Sequence, residues 1–176
     1  MRRKMNKKIK VVFLLILLLL CASCDLSTKW LAKQHLQYAP AVEVVPDYVN
    51  LRYTENDAIA FSMLKSISMP LRNVIIYSTS FFAFIVLGII TYQSRRESFF
   101  WLSALMLILA GAVGNLVDRI LNGYVVDFIH VHYQYKYHWP IFNVADITIT
   151  VGAIVLAILM LKKSYNEKKI LSTENG

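Results

Sequence analysis

The sequence predicts a mainly α, polytopic membrane protein: four transmembrane helices, a small extramembrane sheet and an interfacial loop. Three observations carry that prediction. The 176 residues are 57% hydrophobic with a mean hydropathy of +0.49, too apolar for an ordinary soluble domain of this length. The apolar residues gather into long runs at about 11–30, 74–92, 99–117 and 141–161, each near the roughly 20 residues a spanning helix needs. Twelve of the nineteen Lys and Arg lie in three patches (Arg2–Lys10, Arg95–Arg96 and Lys162–Lys169), and each patch flanks an apolar run. A net charge of +8 raises nucleic acid as a partner, but this distribution is a topology signal instead. It puts both termini and the loop 93–98 in the cytoplasm. Eight of the eleven carboxylates then fall outside or near the outer face. Residues 1–176 read as one membrane-embedded domain, with an extramembrane platform at about 34–72 and a loop at about 118–140.

The first run follows a basic segment and resembles a signal peptide, with Cys21-Ala-Ser-Cys24 at its end. A cleaved lipoprotein would leave a soluble body, whereas three further apolar runs follow, so the expectation is an uncleaved first helix. Cys21 and Cys24, a single C-x-x-C pair, read as small apolar filler at a helix end. The helical pattern continues past Cys24, and Lys29 stands one turn beyond Asp25, placed to pair with it. Pro40 and Pro46 break the chain after Gln34. Tyr48 to Thr54 alternates, with Val49, Leu51 and Tyr53 on one face, which fits a short strand. Asn56 to Ser62 suits the start of a short interfacial helix.

The second run is largely free of polar function and reads as scaffold. The third carries Gly111 and Gly114, which let helices approach closely. Beyond them Asn115, Asp118 and Arg119 share one helical face. Gly123 suits a helix stop. Val125 to Ile129 sets the single carboxylate of Asp127 in apolar surroundings. From His130 to Trp139 the sequence alternates strictly, with His130, His132 and His138 on one side and Tyr133, Tyr135, Tyr137 and Trp139 on the other. Such an amphipathic strand or loop belongs at a membrane interface. Pro140 suits the start of the fourth helix. Asn143 and Asp146 lie three apart on it, and Asp146 sits about 7 Å along from Ile141.

Ionisable groups at such depth cost about 2.5–3.5 kcal/mol each on insertion scales, so they are functional candidates by default. In this topology Asp25, Asn115, Asp118, Arg119, Asp127, Asn143 and Asp146 reach one outer membrane level. Two carboxylates brought close in a partly desolvated site cannot both ionise easily. One then acts as a base on water while the other donates a proton. The residues alone do not choose which two meet.

At these residues the chain resembles lipoprotein signal peptidase, also called signal peptidase II. The resemblance rests on Asp25-Leu-Ser-Thr-Lys29, Asn56-Asp-Ala-Ile-Ala-Phe61, Gly114-Asn-Leu-Val-Asp-Arg119, Val126-Asp-Phe128 and Phe142-Asn-Val-Ala-Asp146. It covers nearly everything from Val11 to Leu161. It implies four transmembrane helices with a small periplasmic β-cradle and an interfacial periplasmic loop, in the bacterial cytoplasmic (inner) membrane. The implied activity is an aspartyl endopeptidase, needing neither cofactor nor metal, that acts among membrane lipids on diacylglyceryl-modified prolipoproteins; a monomer is the expectation, although the sequence does not give the oligomeric state. Asp127 and Asp146 match the catalytic pair. Asn115, Asp118, Arg119 and Asn143 match the polar shell around it, Asn56 a cradle residue near the substrate, and Asp25 with Lys29 the helix-one motif. Two positions depart from the family pattern: Leu26 stands for the usual Gln, and Ala58 for a Gly.

Rival readings remain. A metal-dependent hydrolase would use the same carboxylates with His130 and His132, but a fourth ligand or an H-E-x-x-H pattern is missing. A non-enzymatic carrier or channel would need polar positions along the full depth of the helices, and the inner halves of helices one and three are apolar.

Overall fold

The computed structural model describes residues 6–57 and 68–174. In chain order these form α1 (Lys7–Leu36), β1 (Val42–Val45), β2 (Val49–Asn56), α2 (Met69–Gln93), α3 (Phe99–Asn122), β3 (Val125–Tyr133), β4 (Tyr137–His138) and α4 (Val144–Glu174). A single 3-10 turn, Ser94–Arg96, joins α2 to α3. The short interfacial helix expected after Asn56, and the Ala58 position with it, lie outside the described residues.

The helix ends have local causes. The Asn6 side chain accepts from the Lys8 N–H at 2.9 Å and starts α1, and Ser98 accepts from the Trp101 N–H at 3.2 Å to start α3. Pro70 occupies the first turn of α2, where its missing N–H costs nothing. Gly123 stops α3 with φ of 84°, and its N–H donates to the Arg119 carbonyl at 3.1 Å. α1 has 30 residues, about 45 Å at roughly 1.5 Å per residue against a hydrocarbon core of about 30 Å. The helix is therefore longer than the core it would cross.

α4 begins at Val144, later than the expected start after Pro140. Phe142 remains extended: its carbonyl accepts from the Phe128 and Ile129 N–H groups at 3.1 and 2.8 Å, and its own N–H donates to the Ile129 carbonyl at 3.1 Å. A residue committed to that pairing cannot turn helical, so the helix opens two residues later, behind Asn143.

α3 is the central helix and packs against α1, α2 and α4. Its buried stripe includes Leu102, Leu105, Met106, Ala110, Gly111 and Gly114, and Leu14 of α1 joins the apolar core. A side chain at Gly111 would collide with the Ala145 carbonyl and Ile149, and one at Gly152 with the Ala104 carbonyl and Ile108, so α3 and α4 touch backbone to backbone. Leu20, Phe82, Phe100 and Leu161 face outward. Among the described residues, four helices are long and apolar enough to cross a membrane: Lys7–Leu36, Val74–Arg96, Phe99–Asn122 and Val144–Thr173.

The strands make one antiparallel sheet in the order β1-β2-β3-β4. In the central pair Asn50 faces His130, Thr54 faces Asp127 and Asn56 faces Val125, with an irregularity between Leu51 and Thr54. Val126 and Phe128 of β3 pack on Ala32 near the top of α1, which anchors the sheet to the bundle. The strict alternation expected through Trp139 is interrupted. Gln134 and Tyr135 have φ of 47° and 55°, and the Lys136 N–H donates to the Tyr133 carbonyl at 2.9 Å, which makes a tight hairpin of the primed type. His138 nevertheless reaches the face of His130 and His132, because the hairpin folds it back opposite His132.

Candidate active site

Two polar clusters meet where α1, α3, β3 and α4 converge. The first is built on Lys29, which is 2% exposed. Its ammonium donates to Asn115 Oδ1 at 2.8 Å and forms ion pairs with Asp25 Oδ2 at 2.7 Å and Asp118 Oδ2 at 3.2 Å. Hydrogen bonds hold the two carboxylates as well. Asp25 Oδ1 accepts from the Ala145 N–H at 2.7 Å, Asp118 Oδ2 also from the Val126 N–H at 3.0 Å, and Asp118 Oδ1 from Asn122 at 3.3 Å. Asp25 thus binds the first turn of α4, and Asp118 binds the root of β3. This is a charged rivet through four elements. The expected Asp25–Lys29 pair is present, but as part of a buried cluster rather than as an isolated pair at a helix end.

The second cluster is a chain of amides and carboxylates. Asn143 caps α4, its Oδ1 accepting from the Asp146 N–H at 3.0 Å while the Asn143 N–H donates to Asp146 Oδ2 at 3.1 Å. This reciprocal arrangement is a capping box with Asp at its third position. It fixes the amide of Asn143: with oxygen toward the helix, nitrogen must point the other way. That nitrogen donates to Asp127 Oδ1 at 2.6 Å and to Asn115 Oδ1 at 3.2 Å. Asn115 is fixed in turn, because its oxygen faces the Lys29 ammonium. Its nitrogen donates to Asp146 Oδ1 at 3.0 Å. Asp127 takes a second amide, Asn56 Nδ2 to Oδ2 at 2.7 Å. Asp127 and Asp146 are therefore held through shared amides, and Lys29 joins this chain to the charged cluster.

The Asp127 carboxyl is 2% exposed. Burial is the main cause that pushes its pKa up to about 6, and the neighbouring Asp146 charge adds to the rise. The two amide donors and the Lys29 charge oppose it without prevailing. Arg119 lies within electrostatic reach of Asp146, Asp127 and Asp118. It donates only a long 3.4 Å bond to the Asn115 carbonyl, and its Nε is buried with no hydrogen-bond partner among the described residues.

The histidines stand apart from this centre. His130 and His138 are 3.1 Å apart through Nε2 and Nδ1, and His132 Nε2 lies 3.1 Å from Asn50 Oδ1. Among the described residues no three His, Cys, Asp or Glu side chains are arranged to hold a metal.

The sequence profile of signal peptidase (SPase) II matches residues 16–162, most of the chain. It belongs to that family. A lipoprotein signal peptidase of Clostridium tetani is 34% identical over 90% of this chain and 99% of its own length. One from Thermodesulfovibrio yellowstonii is 36% identical over 93% of this chain and 100% of its own. Another, from Acinetobacter baumannii, is 42% identical over 76% of this chain and 74% of its own. Two solved bacterial membrane enzyme structures determined by the in meso method superpose with TM-scores of 0.72 and 0.71, at 28% and 27% identity. They cover 86% and 89% of this chain and 94% and 92% of theirs. This member of the signal peptidase II family is thus a multi-pass membrane peptidase, which sets aside the carrier or channel reading.

Each candidate residue has a place in this family member. Asp127, Asp146, Asn56, Asn115 and Asn143 form the hydrogen-bonded chain. Asp25, Lys29 and Asp118 form the charged cluster beside it, and Arg119 borders both. The sequence did not disclose the backbone donors of Ala145 and Val126, since every residue but proline carries one. It also did not disclose the capping role of Asn143, although Asn-x-x-Asp ahead of an apolar run is a signal for one.

Proposed function

We propose that this chain is an aspartic endopeptidase that removes the signal peptide from prolipoproteins, cutting just before the diacylglyceryl-modified cysteine. The observation that carries the reading is the pairing of Asp127 and Asp146 through the amides of Asn143 and Asn115. The names of the relatives supply the substrate class. The chain works as a monomer in the bacterial inner membrane, with both termini cytoplasmic and the site at the outer surface.

In the proposed mechanism the dyad holds one proton. The ionised carboxylate takes a proton from a water lying between the two, and the water oxygen attacks the scissile carbonyl carbon. The protonated partner donates to the carbonyl oxygen as negative charge grows there. A proton then passes to the leaving nitrogen as the carbon–nitrogen bond breaks, and the dyad returns to one proton. The pair titrates as a unit, so the resting proton belongs to both. Asn56, Asn115 and Asn143 fix the carboxylates, and Arg119, with its unused Nε, donates to the substrate backbone. The lipid chains of the modified cysteine stay in the bilayer beside the site, which accounts for a protease built inside a membrane.

The test is incubation of the purified protein with a diacylglyceryl-modified precursor peptide. Asp127→Asn and Asp146→Asn are each expected to lower the cleavage rate by at least on the order of 10²–10⁴-fold, the usual worth of a positioned acid or base, while the proteins stay folded. Near-normal cleavage by either variant overturns the assignment.

A further inference from the structure

A second site lies at the opposite end of the bundle. Between α1, α2 and α3 there is a cavity of about 620 Å³, within the roughly 300–1,000 Å³ range of small-molecule sites. Leu14, Leu102 and Met106 form part of its apolar wall, and Lys7, Lys10, Arg95 and Arg96 also line it. No carboxylate is among its lining residues. Glu97, in the loop beside the cavity, is paired with Lys163 at 2.8 Å, and among the described residues Lys10 finds only the Glu97 carbonyl, at 2.9 Å. Arg95 bonds the Tyr92 carbonyl at 3.1 Å and lies over the Tyr92 ring. Four cations thus converge on an apolar cavity inside a membrane-spanning bundle, with no carboxylate among the described residues that line it. The Thr91 hydroxyl, on the same wall, is buried with no hydrogen-bond partner among the described residues.

We infer that this cavity holds an anionic glycerophospholipid from the leaflet on the basic side of the membrane. One acyl chain lies against Leu14, Leu102 and Met106, and the phosphate sits among Lys7, Lys10, Arg95 and Arg96. Thr91 is free to donate to the glycerol ester region. Charge complementarity selects this occupant: basic pockets between transmembrane helices suit anionic head groups, and the apolar depth suits an acyl chain. An apolar peptide segment would leave the four cations unmatched, and a free phosphate would leave the cavity unfilled.

The test uses the full chain in nanodiscs of mixed phosphatidylglycerol and phosphatidylcholine, followed by native mass spectrometry of the lipids retained on extraction. Wild type is expected to retain phosphatidylglycerol about tenfold over its share in the bilayer. The double variant Lys7→Gln/Arg96→Gln should lose that preference and retain the two lipids in bilayer proportion. Gly88 lines the cavity, and a Cβ added there meets nothing within 4 Å. Gly88→Phe therefore has room to leave the backbone and should narrow the cavity and lower retention of both lipids. Equal retention of the two lipids by wild type overturns the inference, as does an unchanged preference in the double variant or unchanged retention in Gly88→Phe.

Discussion

At the scale of single residues, the site turns on how much burial outweighs hydrogen bonding. Asp127 accepts two amide bonds and still has its pKa raised from 3.8 to about 6. A folded-state value above the unfolded one gives stability that is complete below about pH 3.8 and is lost as pH rises through about 6. Two units correspond to about 3 kcal/mol. Asp127→Asn removes this titration, but it also turns one amide donor of Asn56 or Asn143 toward another donor, which costs about 1–3 kcal/mol. The expected outcome is a variant of near wild-type stability at pH 7 whose melting temperature lacks the wild-type decline between pH 4 and 6.5. Parallel thermal-unfolding scans check this, and identical pH profiles would contradict it. Lys29 obeys the opposite logic. Lys29→Met strands the buried carboxylates of Asp25 and Asp118 and should cost about 3–5 kcal/mol, read as lost thermal stability in detergent.

At the scale of elements, the first turn of α4 does two jobs with one side chain. Asn143 caps the helix through Oδ1 and holds Asp127 through Nδ2, and these jobs can be separated. Asn143→Ser keeps a capping oxygen and loses the amide donor to a carboxylate, a bond of about 1.5–3 kcal/mol. Stability should fall by no more than that one bond, with no further loss from the helix cap, while cleavage falls about 10- to 100-fold; parallel unfolding and peptide-cleavage measurements decide. This element also shows how much of the molecule was legible in the sequence. The four apolar runs were readable because a membrane allows little besides helices, and β2 was readable from the alternation of Val49, Leu51 and Tyr53. The start of α4 was less so, because Phe142 is held extended by a partner strand that no local pattern announces. The hairpin at Gln134–Tyr135 was hidden for a different reason: neither residue is a usual left-handed turn former. At the site, composition and depth located the polar level, and motif resemblance chose Asp127 and Asp146. The rivet of Lys29 to two acids depends on helix packing and could be read only as far as the Asp25–Lys29 spacing.

At the scale of the whole molecule, the orientation proposed from charge has a direct check. The Ser94–Arg96 turn and the Gln134–Tyr135 hairpin lie at opposite ends of the bundle. With both cysteines replaced by alanine, a cysteine at Ser94 should react with an impermeant maleimide only after cells are opened. One at Gln134 should react in cells with a permeabilised outer layer. The reverse pattern would invert the orientation.

The sharing of both carboxylates by Asn143, on a helix start that is itself strapped to β3 by Phe142, has a consequence for how the enzyme senses its bilayer. The dyad is gauged against the protein and not against the lipid. A thicker or thinner membrane tilts helices at modest cost, but it moves the two carboxylates together. The lipid-modified substrate of the proposed function has no such gauge, because its position would be set by where its own acyl chains float. If Asp127 and Asp146 are the catalytic pair, as proposed, hydrophobic mismatch should shift the register between the scissile bond and the dyad and raise KM, while the chemical step measured by kcat stays nearly constant.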